Sequence, residues 1–156
     1  MITLHRILVP SDFSEHSKNA LRYGAAFAEK FGAEVYLLHV FQDLAIFQPD
    51  AVTVGPPAMP PIDEMLAAAR TALQRSLQDC PIKNVTKCHL EVREGAPFEE
   101  IVDFAKETDI DLIVMGTHGR GWLAHVLIGS VSERVVRKAP CPVLTVRHPE
   151  HEFVEP

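Results

Sequence analysis

Short apolar runs alternate with helical periodicities along the whole chain. Ile7-Leu-Val9 predicts a first strand, and residues 15–31 follow as a helix on which Leu21, Gly24, Ala25, Ala28 and Phe31 recur at helical spacing. Ser14 stands where an N-cap belongs, and Gly32 where a helix-ending residue with positive φ belongs. Val35–Val40 reads as a second strand, and residues 62–78 as a second helix carried by Ile62, Met65, Leu66, Ala69, Leu73 and Leu77. A third strand over 85–93 sets Cys88, Leu90 and Val92 against Lys87, His89, Glu91 and Arg93. Pro97 then opens a third helix at its favoured first position, with Phe98, Ile101, Val102 and Ala105 on one face. A strand at 111–115, a helix at 131–138 and a strand near 143–147 complete the pattern.

Strand–helix alternation of this kind implies an α/β fold: a parallel sheet with helices on both faces. The first, second and fourth strands are continuously apolar, as central parallel strands are. The third alternates, which places it at an edge. A five-stranded order of 3-2-1-4-5 satisfies both patterns with right-handed crossovers. It opens a crevice between the first and fourth strands, where the winding reverses and ligands bind beyond the strand ends. The Pro10-Ser-Asp-Phe turn and the loop after Met115 both belong there. Residues 41–61, with five prolines and little periodicity, read either as a flap beside that crevice or as a spacer.

The chain has 156 residues, enough for one domain, placed at 1–148 with a tail at 149–156. Hydrophobic residues make up 47% and charged residues 23%, an ordinary globular balance. A net charge of −6 without any basic block argues against nucleic-acid partners, whose phosphates demand neutralising cations. Six residues before the first strand leave no room for a signal peptide or a membrane span. Cys80, Cys88 and Cys141 are odd in number and lack metal-site spacing, which fits a reducing compartment and a cytoplasmic location.

Chemistry concentrates in Gly116-Thr-His118-Gly119-Arg120 and, with nine residues between Gly119 and Gly129, in Gly129-Ser130. Glycines at a strand end permit positive φ and close backbone approach, and the N–H groups of a following helix suit a phosphate. Ser130 to Glu133 also matches the capping-box pattern, so Ser130 reads as an N-cap, a phosphate ligand or both. Asp12, just past the first strand, can accept two hydrogen bonds from a ribose diol, or cap a turn. His118 and Arg120 lie within reach of phosphate oxygens or are simply solvated. Gly119-Arg-Gly-Trp-Leu-Ala124 fits the dinucleotide pattern only loosely and in the wrong unit. There is no P-loop, no nucleophile elbow and no paired histidine spacing for a metal.

Taken together, these residues resemble the universal stress protein family over about residues 3–148. Ile7-Leu-Val-Pro-Ser-Asp-Phe-Ser14 looks like its opening strand and acidic turn. Gly116, Gly119, Gly129 and Ser130 reproduce the spacing G-x2-G-x9-G-[ST] of its ATP-binding branch, and Pro140–Val146 is similar to its closing strand. The resemblance implies a flavodoxin-like sandwich of the adenine nucleotide alpha-hydrolase superfamily that binds ATP or AMP, with Mg2+ or Mn2+ accompanying the phosphates. Asp12 would hold the ribose, and the Val40 backbone the adenine. Met115, Gly116 and Gly119 would line the nucleotide, with Pro10 and Ser11 on the same wall. Gly129, Ser130 and Val131 would receive the phosphates. It further implies a homodimer through the last strand, Val143, Leu144, Thr145 and Val146. Trp122 and His125 are bulkier than that family's phosphate lid leads one to expect.

No base stands beside the presumed γ-phosphate, so no residue is assigned a catalytic role and any ATP hydrolysis should be slow. The leading reading is a nucleotide-dependent stress-response switch. Two rivals are a nucleotide-free interaction module of the same fold and an alpha-hydrolase or adenylyl-transfer enzyme. The Gly-rich first loop of the latter is replaced here by Val-Pro-Ser-Asp12.

Overall fold

The computed structural model describes residues 2–42, 60–80, 87–117 and 129–147. Five strands and four helices alternate: β1 (Arg6–Pro10), α1 (Glu15–Phe31), β2 (Glu34–Phe41), α2 (Ile62–Gln78), β3 (Cys88–Glu94), α3 (Pro97–Glu107), β4 (Leu112–Gly116), α4 (Ser130–Lys138) and β5 (Val143–Val146). The strands form one sheet in the order β3-β2-β1-β4-β5, parallel throughout. Both features agree with the hydrophobic pattern. The alternating strand lies at one edge and the three wholly apolar ones at the centre. Residue 1 and stretches 43–59, 81–86, 118–128 and 148–156 lie outside the described residues, and with them most of the Pro-rich segment 41–61 and the tail; Phe41 belongs to β2 and Pro61 precedes α2.

Strand periodicity splits the core into two layers. Ile7, Val9, Val35, Leu37 and Val114 pack with Ala20, Leu21, Ala28 and Leu73 of α1 and α2. Leu8, Leu38, Ile113 and Met115 turn to the other face, against Ile101, Phe104 and Ala105 of α3 and Val135 of α4. Consecutive residues of β1 therefore serve opposite layers, as a period of two requires. Ile7, Leu8 and Val9 are all fully buried.

α1 starts and stops on local chemistry. The Ser14 hydroxyl accepts from the Ser17 N–H, and Gly32 ends the helix at φ 68, where a side chain would be strained. Asp111, leading into β4, ties down the start of β1: its carboxylate accepts from the His5 and Arg6 N–H groups at 2.7 and 2.9 Å. Ile7 pairs with Leu112 and Leu8 with Ile113. No helix of the described residues is long and apolar enough to cross a membrane.

Burial pushes the Cys88 thiol up to about 11, with the neighbouring Cys80 adding to the effect, and burial also raises Cys141. At pH 8 Cys88 then holds on the order of 100-fold less thiolate than a cysteine at the ordinary value. Alkylation followed by peptide mass spectrometry should show Cys88 modified far more slowly in native than in urea-unfolded protein. Equal rates in the two states would contradict this burial.

Candidate functional site

β1 and β4 are neighbours whose connections leave in opposite directions, through α1 to β2 and through α4 to β5. Beyond their carboxyl ends the two connections part, as at any such switch point. A cavity of about 370 Å³ occupies this place. Pro10, Ser11, Asp12 and Ser17 line it from the β1 turn and α1, Leu38 and Val40 from β2, and Met115 and Gly116 from β4. Pro97 and Ile101 of α3 and Ser130, Val131 and Ser132 of α4 complete the wall.

The turn after β1 is held by a chain of short-range hydrogen bonds. The Ser11 N–H extends the β1–β2 ladder to the Leu38 carbonyl at 2.8 Å. The Ser11 carbonyl lies 2.8 Å from His39 Nδ1, and because a carbonyl only accepts, that nitrogen carries the proton. Asp12 Oδ1 accepts from the Ser14 N–H at 3.0 Å and from the Ser14 hydroxyl at 2.5 Å. Its carboxylate is thus oriented by the same serine that caps α1.

Phe13 makes this turn possible at a cost. Its φ of 66° is a conformation that aromatic residues avoid, worth about 1–2 kcal/mol. The Phe13 ring compensates by packing on His39 at 4.4 Å between centroids, and its N–H donates to Ser11 Oγ at 3.3 Å. Nothing in the Phe13 side chain itself predicts a left-handed residue.

α4 begins one residue earlier than its sequence pattern suggests. The capping-box reading places the N-cap at Ser130, but Gly129 takes that role: it is extended (φ −66°, ψ 156°) and its carbonyl accepts from the Glu133 N–H at 2.9 Å. Ser130 is therefore the first helical residue, and no side chain caps the helix. The Glu133 carboxylate pairs with Arg137 at 2.9 Å instead of reaching back. The Gly129 N–H donates to the Thr117 carbonyl at 2.6 Å. The next three N–H groups, of Ser130, Val131 and Ser132, have no partner four residues back in an α-helix. All three residues line the cavity.

Gly116 is required for a different reason from positive φ, which it does not adopt. A Cβ there would stand 2.9 Å from His16 Cβ and 3.1 Å from the His16 backbone, because α1 crosses β4 at this point. Its carbonyl accepts from the buried Ser132 hydroxyl at 2.8 Å, which locks the first turn of α4 onto the end of β4.

The cavity is therefore polarised. The Asp12 carboxylate lies at one end, and helix N–H groups carrying partial positive charge lie at the other. Leu38, Val40, Pro97, Ile101 and Met115 supply apolar wall, a combination suited to a planar base joined through polar atoms to an anion.

Of the residues singled out from sequence, Pro10, Ser11, Asp12, Val40, Met115, Gly116, Ser130 and Val131 line this cavity, and Gly129 caps the helix beside it. His118, Gly119 and Arg120 lie outside the described residues. Ser17, Leu38, Pro97, Ile101 and Ser132 were not anticipated. Leu38 had a signal, standing two residues before Val40 on the same face of β2. Pro97 and Ile101, one turn apart on α3, had none that linked their helix to the crevice. Among the described residues no three His, Cys, Asp or Glu side chains gather as a metal site.

Residues 3–147 match the universal stress protein family. A universal stress protein of Methanocaldococcus jannaschii is 38% identical over 150 residues, spanning 94% of this chain and 84% of its own. The solved universal stress protein UspA of Lactobacillus plantarum is 29% identical, with a TM-score of 0.77, covering 94% of this chain and all of that one. A universal stress protein of Archaeoglobus fulgidus, solved in complex with dAMP, is 27% identical with a TM-score of 0.51. That match covers 93% of this chain and 98% of the other.

Proposed function

We propose that this chain, which belongs to the universal stress protein family, binds an adenine nucleotide, ATP or AMP, in the β1–β4 cavity. Its role is that of a nucleotide-dependent stress-response switch. The observation that carries the reading is the polarity of the cavity, with a fixed carboxylate at the β1 end and the first turn of α4 at the other. The dAMP bound by the Archaeoglobus relative supports it.

In this reading Asp12 takes the ribose and the Val40 backbone meets the adenine, with the base against Leu38, Ile101 and Met115. The phosphates meet the Ser130 and Val131 amides and the Ser130 hydroxyl. The Gly129 amide is engaged by Thr117, so Gly129 serves by setting where the helix starts. His118 and Arg120, which lie outside the described residues, are assigned in this proposal to the phosphate oxygens, and Gly119, likewise outside them, to lining the nucleotide with Met115 and Gly116. Mg2+ or Mn2+ would accompany the phosphates. Any hydrolysis is slow in this reading. The protein acts as one domain over 1–148 in the cytoplasm, as a homodimer joined along the edge strand β5 through Val143–Val146.

Denaturing freshly purified protein and running the supernatant on ion-pair chromatography with mass detection tests the site. Stoichiometric AMP, ADP or ATP is expected, or micromolar binding on titration with Mg2+. An empty supernatant followed by a flat titration would leave the fold serving as a nucleotide-free interaction module.

A further inference from the structure

Two buried hydroxyls at the β1 end of the cavity decide which kind of ligand atom can sit there. Ser11 and Ser17 are 8% and 5% exposed, both line the cavity, and their oxygens are 3.4 Å apart. Ser17 Oγ also lies 2.9 Å from the Ser14 carbonyl. A hydroxyl has one hydrogen and a carbonyl has none, so the shorter contact takes the Ser17 proton. Towards Ser11, Ser17 can then only accept, and Ser11 must donate. Ser11 Oγ meanwhile accepts from the Phe13 N–H at 3.3 Å. With its hydrogen committed to Ser17 and one lone pair to Phe13, Ser11 has a single lone pair left.

We infer that Ser11 is an acceptor in this cavity, its polarity fixed by Ser17, and that together with Asp12 it selects a ligand group bearing hydrogen-bond donors. Resting on the nucleotide reading above, this assigns the β1 corner to the ribose hydroxyls and excludes phosphate from it. A phosphate oxygen placed there would face a carboxylate and a lone pair. The same atoms that hold the start of α1 therefore set the direction in which the ligand lies. Ser11 is a binding residue, and Ser17 is a positioning residue that acts through it.

The test compares AMP with 2′,3′-dideoxy-AMP, which keeps base and phosphate but lacks both ribose donors, by calorimetric titration of the full chain. The wild type should prefer AMP. In Ser11→Ala that preference should shrink by about three- to tenfold, the value of one neutral hydrogen bond. Ser17→Ala frees the Ser11 proton and should shrink it in the same direction. A purely structural role for either serine would weaken both ligands equally and leave the ratio unchanged, which would overturn the inference, as would a wild type that binds both ligands alike. A wild type that binds neither overturns the nucleotide reading and this one together. Thermal melts of both variants identify any that fail to fold. Ser11→Thr, which retains the hydroxyl, should keep the preference.

Discussion

Replacing Asp12 with alanine is expected to weaken AMP or ATP binding by roughly 12- to 160-fold. The range follows from about 1.5–3 kcal/mol for hydrogen bonds made to a charged group. The carboxylate lines the cavity and is held in place by Ser14, so it meets a ligand without first having to be ordered. Alanine also removes the acceptor for the Ser14 N–H, at about 1 kcal/mol of fold stability. Asp12→Asn separates the two effects, because an amide oxygen still accepts from Ser14 while the charge is gone. The asparagine variant should melt like the parent and bind with intermediate affinity. A folded alanine variant with unchanged affinity would show that Asp12 serves only the turn.

A second large effect is expected at Gly116, and it concerns stability first. A methyl group there must displace His16, whose Cβ and backbone lie at 2.9 and 3.1 Å from its position. Backbone cannot swing aside as a side chain can, so α1 must lift from β4 or β4 must bend. Overpacking of this kind costs about 1–3 kcal/mol, or roughly 2–12 °C in melting temperature for a chain of this size. Gly116→Val should exceed Gly116→Ala, since its branches have the same wall to clear. Calorimetric melts of the two variants against the parent decide it. An alanine variant that melts with the parent would mean that α1 has slack at His16.

Much of this architecture is legible in sequence because its determinants are local. α1 and α2 occupy the residues their periodicities mark, and α1 also carries its own start and stop in Ser14 and Gly32. The strand order follows from which strands are wet on one side, and β3 is the one that alternates. The start of α4 shows where local reading fails. Ser-Val-Ser-Glu133 has the composition of a capping box, but the chain arrives extended at Gly129, and Glu133 is drawn to Arg137. Gly116 reads as a strand-end glycine that lets the backbone approach a ligand, and only the structure shows that it also makes room for a helix one hundred residues earlier in the chain. Ser17 reads as a polar position on α1, and only the juxtaposition with Ser11 gives its proton a destination. Ile101 belongs to the cavity because α3 lies over β2 and β4, which no window of sequence around residue 101 encodes.

The pairing of β1 with β4 also governs how the chain is made. β1 lies at the centre of the sheet, with β2 on one side and β4 on the other, and its start is tied to the carboxylate of Asp111. During synthesis β2 follows soon after β1, but β4 emerges about a hundred residues later. At about 5–20 residues per second, one flank of β1 waits roughly 5–20 s for its partner. For that interval Ile7, Leu8 and Val9 belong to a β1-α1-β2 unit whose parallel strand pair has an open edge, the kind of surface on which nascent chains aggregate. Closure of so non-local a contact also slows refolding of the finished chain. The central position that makes β1 a rigid platform for Asp12 thus also leaves it unenclosed until β4 arrives, long after its own synthesis.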